Sequence, residues 1–263
     1  MTTADDHLLA RDLAEEAGRL LLGLRARGGD PDALRKAGDR LSHEFLTAEL
    51  AARRPDDAVL SEEGADDKAR LAADRVWIVD PLDGTREFGD DDRTDWAVHV
   101  ALWERGAGTA AAGRLTAGAV ALPAQGKVLS TVDPPGHPDT HPDTAAGGRP
   151  LRLVVSRSRA PRLTRDVAGR IGAELVPWGS VGAKVATVLT GETDAYLHAG
   201  GFYEWDTAAP VAVAAAAGRH ASRIDGTALA YNREDPLMPD ILVCRPAIAG
   251  LLLEAIREAT HAI

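Results

Sequence analysis

The chain has 263 residues, 45% hydrophobic content and a formal net charge of −10. That length buries a full core as one large or two medium domains. So negative a surface argues against general binding to a nucleic-acid polymer or a membrane, and an anionic substrate would need bound cations to reverse the local field. The single cysteine, Cys244, excludes an internal disulfide framework and fits a reducing cytoplasm. Within Ile241–Cys244 it reads as a small core residue. Asp5, Asp6, Glu15 and Glu16 interrupt the N-terminal apolar pattern, which is no secretory signal, and no run of ~20 apolar residues follows.

Residues 4–26 form an amphipathic helical pattern, with Leu9, Leu13, Ala17, Leu20 and Leu24 at helical spacing. Gly28-Gly29-Asp30-Pro31 breaks it. Asp39 precedes a second helix expected from about Leu41 to Arg54. Ala58–Ser61 reads as a short strand with Glu62 and Glu63 at its exit. Val76–Val79 is the next strand, and Pro81 should end it at Asp80. Asp83 follows, Gly84 permits close backbone approach, and Thr85 can open a helix. A strand over Asp95–Trp103 carries His99, read as a strand residue rather than a ligand. A hairpin joins Leu115–Leu122 to Lys127–Val132.

Residues 133–150 are rich in Pro, Gly, Asp and Thr and contain His-Pro-Asp-Thr twice, at 137 and 141. The prolines forbid a regular helix there, so the stretch reads as a flexible loop between halves. Beyond it strands and helices alternate. Leu151–Val155, Glu174–Val176, Ala195–Leu197 and Ile241–Cys244 are strands; Pro161–Ile171, Val181–Leu189, Thr207–Ala217 and Ala247–Ala262 are helices. Gly179-Ser180 opens one of them and offers amides to an anion. The expected fold class is α/β: a layered α-β-α-β-α sandwich with mixed sheets. Its division is residues 1–148, with most of the acidic site, and 149–263, with the rest.

Carboxylates recur where elements begin or end: Asp39, Glu62, Asp80, Asp83 and Asp206. Two carboxylates and a glycine after a buried strand suit a hard cation with a phosphate over it. Each acid alone reads equally as a cap or a surface charge. Asp206 can be the N-cap of its helix, with Pro210 near the first turn.

Two longer motifs bear on that choice. Asp80-Pro81-Leu82-Asp83-Gly84-Thr85 and Trp205-Asp206-Thr207-Ala208-Ala209-Pro210 resemble the two signatures of the inositol monophosphatase superfamily. Leu60-Ser61-Glu62-Glu63 matches its upstream acidic pair; Arg86-Glu87-Phe88 and Ser156-Arg157-Ser158 resemble its CysQ-type 3'(2'),5'-bisphosphate nucleotidase branch. The resemblance implies two or three magnesium ions held by Glu62, Asp80, Asp83, Asp206 and the Leu82 carbonyl. It implies a water activated near Glu62 by the Asp39–Thr85 pair, and sensitivity to lithium. The segment before Asp39 is shorter than in the family and lacks its usual threonine.

Gly84 and Thr85 would bind a phosphate oxygen. Ser156, Arg157, Gly179, Ser180 and Lys184, with Arg159 beside them, are candidates for substrate contact. The implied substrate is a small phosphate ester, 3'-phosphoadenosine 5'-phosphate first, in sulfur assimilation. Ala199 stands where inositol-specific relatives carry an acid, which disfavours inositol 1-phosphate. Fructose 1,6-bisphosphate is a further alternative, as is a non-enzymatic nucleotide-binding regulator. A homodimer is compatible with the sequence. A covalent aspartyl phosphatase would carry Asp-x-Asp-Gly-Thr, whereas here two residues separate Asp80 from Asp83.

Overall fold

The computed structural model describes residues 3–106, 113–136, 149–158 and 160–261. The His-Pro-Asp-Thr repeats and Arg159 lie outside the described residues.

Helix α1 (Ala4–Arg25) buries Leu9, Leu13, Ala17 and Leu21 along one face. Helix α2 (Pro31–Arg53) begins ten residues before the expected Leu41. Pro31 takes the first helical position, where a missing amide proton costs nothing, and the Asp30 carboxylate caps Ala33 N at 2.9 Å. The element that breaks one helix therefore starts the next, and Asp39 lies inside α2 rather than before it.

Strands β1 (Ala58–Ser61), β2 (Arg75–Asp83), β3 (Ala97–Glu104), β4 (Arg114–Leu122) and β5 (Lys127–Ser130) form one sheet in sequence order, β1 and β2 parallel and the rest antiparallel. A short helix, α3 (Thr85–Phe88), follows β2. Pro81 does not end β2. Pairing with β3 breaks register between Asp80 and Asp83 and resumes at Asp83 opposite Ala97, so Pro81 sits in a bulge where no ladder bond is required of it.

The second sheet has the order β7-β6-β8-β10-β9. It is built from β6 (Arg152–Ser156), β7 (Glu174–Trp178), β8 (Ala195–Tyr203), β9 (His220–Ser222) and β10 (Leu237–Cys244). β6 runs parallel to β7 and β8, whereas β10 is antiparallel to both its neighbours. The three-residue β9 has no period of its own and is held by its pairing to β10 and by Ala221 packing on the core between the sheets.

Between the sheets lie α5 (Val181–Leu189) and α6 (Glu204–Ala216). Both are apolar over most of their circumference, as a helix buried on two sides must be, with Lys184 on α5 and Glu204 and Asp206 in the first turn of α6 as the charged exceptions. Val185 and Val213 meet Ile78 and Val120 of the first sheet and Tyr196 and Ile241 of the second in one core. Gly118 lets α6 close on β4: a Cβ there would lie 2.7 Å from Ala212 Cβ. The outer face of the first sheet is covered by α1 and α2, through Leu13, Leu46, Trp77 and Val98. The outer face of the second is covered by α4 (Arg162–Ile171) and α7 (Pro246–His261), through Val167, Leu252, Leu153 and Leu197. The result is the α-β-α-β-α sandwich. Each sheet comes from one side of the 148/149 division, and the middle helices pack on both. Cys244 is buried in the outer cluster of the second sheet, and burial pushes its thiol up to about 12. Among the described residues no helix is long and apolar enough to cross a membrane.

Candidate active site

The carboxylates gather where β2 meets the N-termini of α5 and α6. Carboxylate oxygens of Asp80, Asp83 and Asp206 lie within 4.8 Å of one another. The β2 bulge explains two of them: it turns both Asp80 and Asp83 inward instead of leaving them on alternate faces. Asp80 Oδ1 accepts from Leu82 N at 3.0 Å, and Asp80 Oδ2, fully buried, has no hydrogen-bond donor. Asp206 is the third residue of α6, not its N-cap; Tyr203 caps the helix, and its amide donates to Asp206 Oδ2 at 2.6 Å. Pro210 lies in the helix interior, so no amide proton reaches the Asp206 carbonyl from the next turn.

Glu62 leaves β1 still in register, its amide bonded to Val79 O at 3.4 Å, and its carboxyl meets that of Asp80. Mutual repulsion on top of burial raises these acids. Burial first, then Glu62, Asp83 and Asp206, put Asp80 well above the usual carboxylate range. Burial with Asp206, Asp83 and Glu63 nearby lifts Glu62 to about 7, and burial with Asp83 nearby lifts Asp206 to about 6. Glu62 is exposed at the mouth, where solvent relieves part of that repulsion.

Asp83 is the exception. Burial opposes its ionisation, but His99, Lys184 and the Ser180 hydroxyl outweigh burial and hold it below the usual range. Its Oδ2 accepts from Ser180 Oγ at 2.5 Å and Gly182 N at 2.6 Å, and faces His99 Nε2 at 3.2 Å.

On the α2 side, Thr85 Oγ1 lies 3.3 Å from Asp39 Oδ1 and 3.1 Å from the Leu82 carbonyl. One hydroxyl proton cannot serve both acceptors at once. Asp39 is raised to about 6 by burial and by Glu63, against the Thr85 hydrogen bond. Gly84, at φ 88°, is required by the backbone, and a Cβ there would press on Ser180 Cβ at 3.1 Å.

The expected substrate contacts divide. The Gly179-Ser180 turn is not open to an anion, because the protein's own carboxylates already fill it. Asp95 Oδ2 takes Gly179 N at 2.5 Å, and Asp83 takes Gly182 N and the Ser180 hydroxyl. Ser180 holds φ at 44° for this purpose, caps Ala183 N at 3.0 Å, and is kept in that strained conformation by Asp83. Lys184 is buried behind the turn, its Nζ 3.4 Å from Gly179 O and 5.4 Å from the Tyr196 ring centre. It offsets the carboxylate charge from within and does not project to the surface; burial lowers its pKa against the pull of Asp83 and Glu87. Arg157, partly exposed, donates to Asp95 Oδ2 at 2.9 Å and lies 3.8 Å from Glu87. Ser156 ends β6 opposite Trp178.

Two residues of the site were not legible as such in the sequence. His99 lies directly across from Asp80 in the β2–β3 register, with Nδ1 3.2 Å from the Trp205 carbonyl. Its one signal is being the sole titratable side chain within Ala97–Trp103. Asp95 gathers Gly179, Arg93 and Arg157 on one buried carboxylate, and nothing local to its sequence announces that.

The donor set fits a hard divalent cation. All donors are oxygens, one buried carboxylate oxygen is unpartnered, and burial with mutual repulsion raises Asp80, Glu62 and Asp206. These residues can hold a metal.

Comparison with known proteins gives a consistent placement. Residues 10–261 match the inositol monophosphatase family. The 3'-phosphoadenosine 5'-phosphate phosphatase of Mycobacterium leprae is 51% identical over 259 residues, covering 96% of this chain and 94% of the relative. The 3'(2'),5'-bisphosphate nucleotidase CysQ of Escherichia coli K12 is 30% identical over 213 residues, covering 79% and 83%. The crystal structure of CysQ from Bacteroides thetaiotaomicron superposes with a TM-score of 0.75 at 29% identity, covering 92% of this chain and 97% of that one.

Proposed function

The chain belongs to the inositol monophosphatase family, and on that premise we propose that it removes the 3'-phosphate of 3'-phosphoadenosine 5'-phosphate, releasing AMP and phosphate. The choice of ester is carried by the similarity to the Mycobacterium leprae phosphatase across nearly the whole of both chains. The chemistry is supported by the gathering of Asp80, Asp83 and Asp206 beside Glu62 and the Asp39–Thr85 pair.

Magnesium ions are the cofactor in this reading, held by Glu62, Asp80, Asp83, Asp206 and the Leu82 carbonyl. When bound, they supply positive charge against the phosphate and the departing oxygen and lower the pKa of water. The rest falls to the chain. Asp39, raised to about 6, is ionised at neutral pH yet basic enough to accept a proton. Thr85 hands it that proton from the attacking water, keeping a lone pair of Oγ1 toward the water. The water oxygen forms the new bond to phosphorus, the bond to the ribose 3'-oxygen breaks, and that oxygen takes a proton from solvent. Amides of Gly84 and Thr85 hold a phosphate oxygen. Asp83 stays ionised through its contacts with Ser180 and Gly182. Arg157 and Asp95 shape the rim of the site.

The test is phosphate release from 3'-phosphoadenosine 5'-phosphate, inositol 1-phosphate and fructose 1,6-bisphosphate, with magnesium and with excess chelator. The highest kcat/KM is expected for the nucleotide, with no turnover in chelator. Equal rates in chelator, or a preference for inositol 1-phosphate, would overturn the reading.

A further inference from the structure

Five large hydrophobic side chains are exposed among the described residues, and two of them, Tyr203 at 43% and Leu237 at 40%, are partners across β8 and β10. Opposite partners in an antiparallel pair point to the same side of the sheet, so the two make one apolar patch. The patch is tied to the carboxylate cluster. The amide of Tyr203 donates to Asp206 Oδ2 at 2.6 Å, so the residue that carries the ring is bonded through its backbone to that carboxylate.

The inner face of the Tyr203 ring is covered and the ring is braced. It stacks on Trp205 with centroids 4.7 Å apart and planes 13° from parallel. Trp205 in turn packs against the core between the sheets. What is left is the outer part of a rigid aromatic stack, facing away from the core. The chain leading to it clears space. A Cβ on Gly200 would meet no atom within 4 Å, and one on Gly201 would meet only Leu237 Cδ1, at 4.0 Å. No carboxylate stands between Ala199 and Tyr203 to hold sugar hydroxyls at this rim.

We infer that Tyr203, flanked by Leu237, is the shelf on which the purine ring of a nucleotide substrate lies while its phosphate faces the Asp80–Asp83–Asp206 cluster. The inference rests on the nucleotidase reading above and adds to it the residue that recognises the base. A planar aromatic ligand extends the Trp205–Tyr203 stack by one ring and covers the exposed patch. An aliphatic phosphate ester of similar charge does neither. Tyr203 is in this sense a specificity residue: it adds affinity for the base without touching the phosphorus.

Base–aromatic stacking of this kind predicts a roughly tenfold loss on removing the ring. Tyr203→Ala should lower kcat/KM for 3'-phosphoadenosine 5'-phosphate by about that factor, mainly through KM. Calorimetry should show AMP binding weakened to the same degree, with the affinity for inorganic phosphate unchanged. Tyr203→Phe, which keeps the ring, should recover most of the AMP affinity. The inference is overturned if Tyr203→Ala binds AMP as tightly as the parent protein. It is also overturned if AMP and inorganic phosphate weaken alike, which would mean that the change disturbs Asp206. A parent protein that releases no phosphate from the nucleotide removes the nucleotidase reading itself, and this inference with it.

Discussion

Asp83 and Ser180, separated by 97 positions in the chain, are joined by a hydrogen bond of 2.5 Å between the Ser180 hydroxyl and Asp83 Oδ2. The same carboxylate oxygen takes the amide of Gly182 at 2.6 Å. One side chain of the first sheet therefore occupies the N-terminus of a middle-layer helix and belongs to the acidic cluster at the same time. The helix end keeps Asp83 ionised, and Asp83 in turn satisfies the helix end.

That double role makes Asp83→Asn informative. The amide oxygen can still accept both contacts, though more weakly, while the charge is lost. Phosphate release from 3'-phosphoadenosine 5'-phosphate should fall by at least roughly 100-fold. The melting temperature should move by no more than about 4 °C, because relief of repulsion with Asp80 and Asp206 offsets the weakened contacts. Phosphate assay and thermal melting followed by circular dichroism check the two halves separately.

Thr85 and Asp39 should behave as one unit. Thr85→Val keeps the shape and removes the hydroxyl that lies 3.3 Å from Asp39. Thr85→Val and Asp39→Asn should each lower kcat roughly 10²–10⁴-fold, and the double variant should be little worse than the worse single one. Because the base acts deprotonated, kcat/KM of the parent enzyme should rise with pH through about 6 and then level off. Rates that add independently would separate the two residues.

Metal removal should expose the repulsion among the acids. With chelator present, Asp39, Glu62 and Asp206 are raised to about 6, 7 and 6. The folded state then binds more protons than the unfolded chain between about pH 4 and 7. The contribution of these three acids to stability is therefore greatest below that window and falls as pH rises through it. Saturating magnesium should flatten the slope, since a bound cation replaces the protons. Urea unfolding at several pH values, with and without the metal, measures this directly.

Gly182 tests the packing beneath the cluster. A Cβ there would lie 2.1 Å from His99 Nε2 and 3.0 Å from both Ala97 Cβ and Val120 Cγ1. Gly182→Ala should cost about 1–3 kcal/mol, because β3 and α5 cannot both stay in place. The expected fall in melting temperature is about 2–4 °C for each kcal/mol. Gly169→Ala, where a Cβ meets nothing within 4 Å, is the control in the same assay.

What the sequence determined by itself is local. Helical spacing marked α1, and α5 occurs over the expected Val181–Leu189. Asp80-Pro81-Leu82-Asp83-Gly84-Thr85 announced a carboxylate turn because all its parts lie within one bend of the chain. Asp206 was recognisable at the start of a buried helix, but as its N-cap rather than as a residue of its first turn. Tertiary structure alone decided how these pieces meet. It put Asp39 inside α2, since Asp30 and Pro31 start a helix that the apolar stripe does not require. It also turned Gly179-Ser180 from an open anion site into one filled by Asp83 and Asp95, and set His99 across from Asp80. The reason is that side-chain periodicity reports which face of an element is buried, whereas the partner on that face is chosen when two sheets close on the same pair of helices.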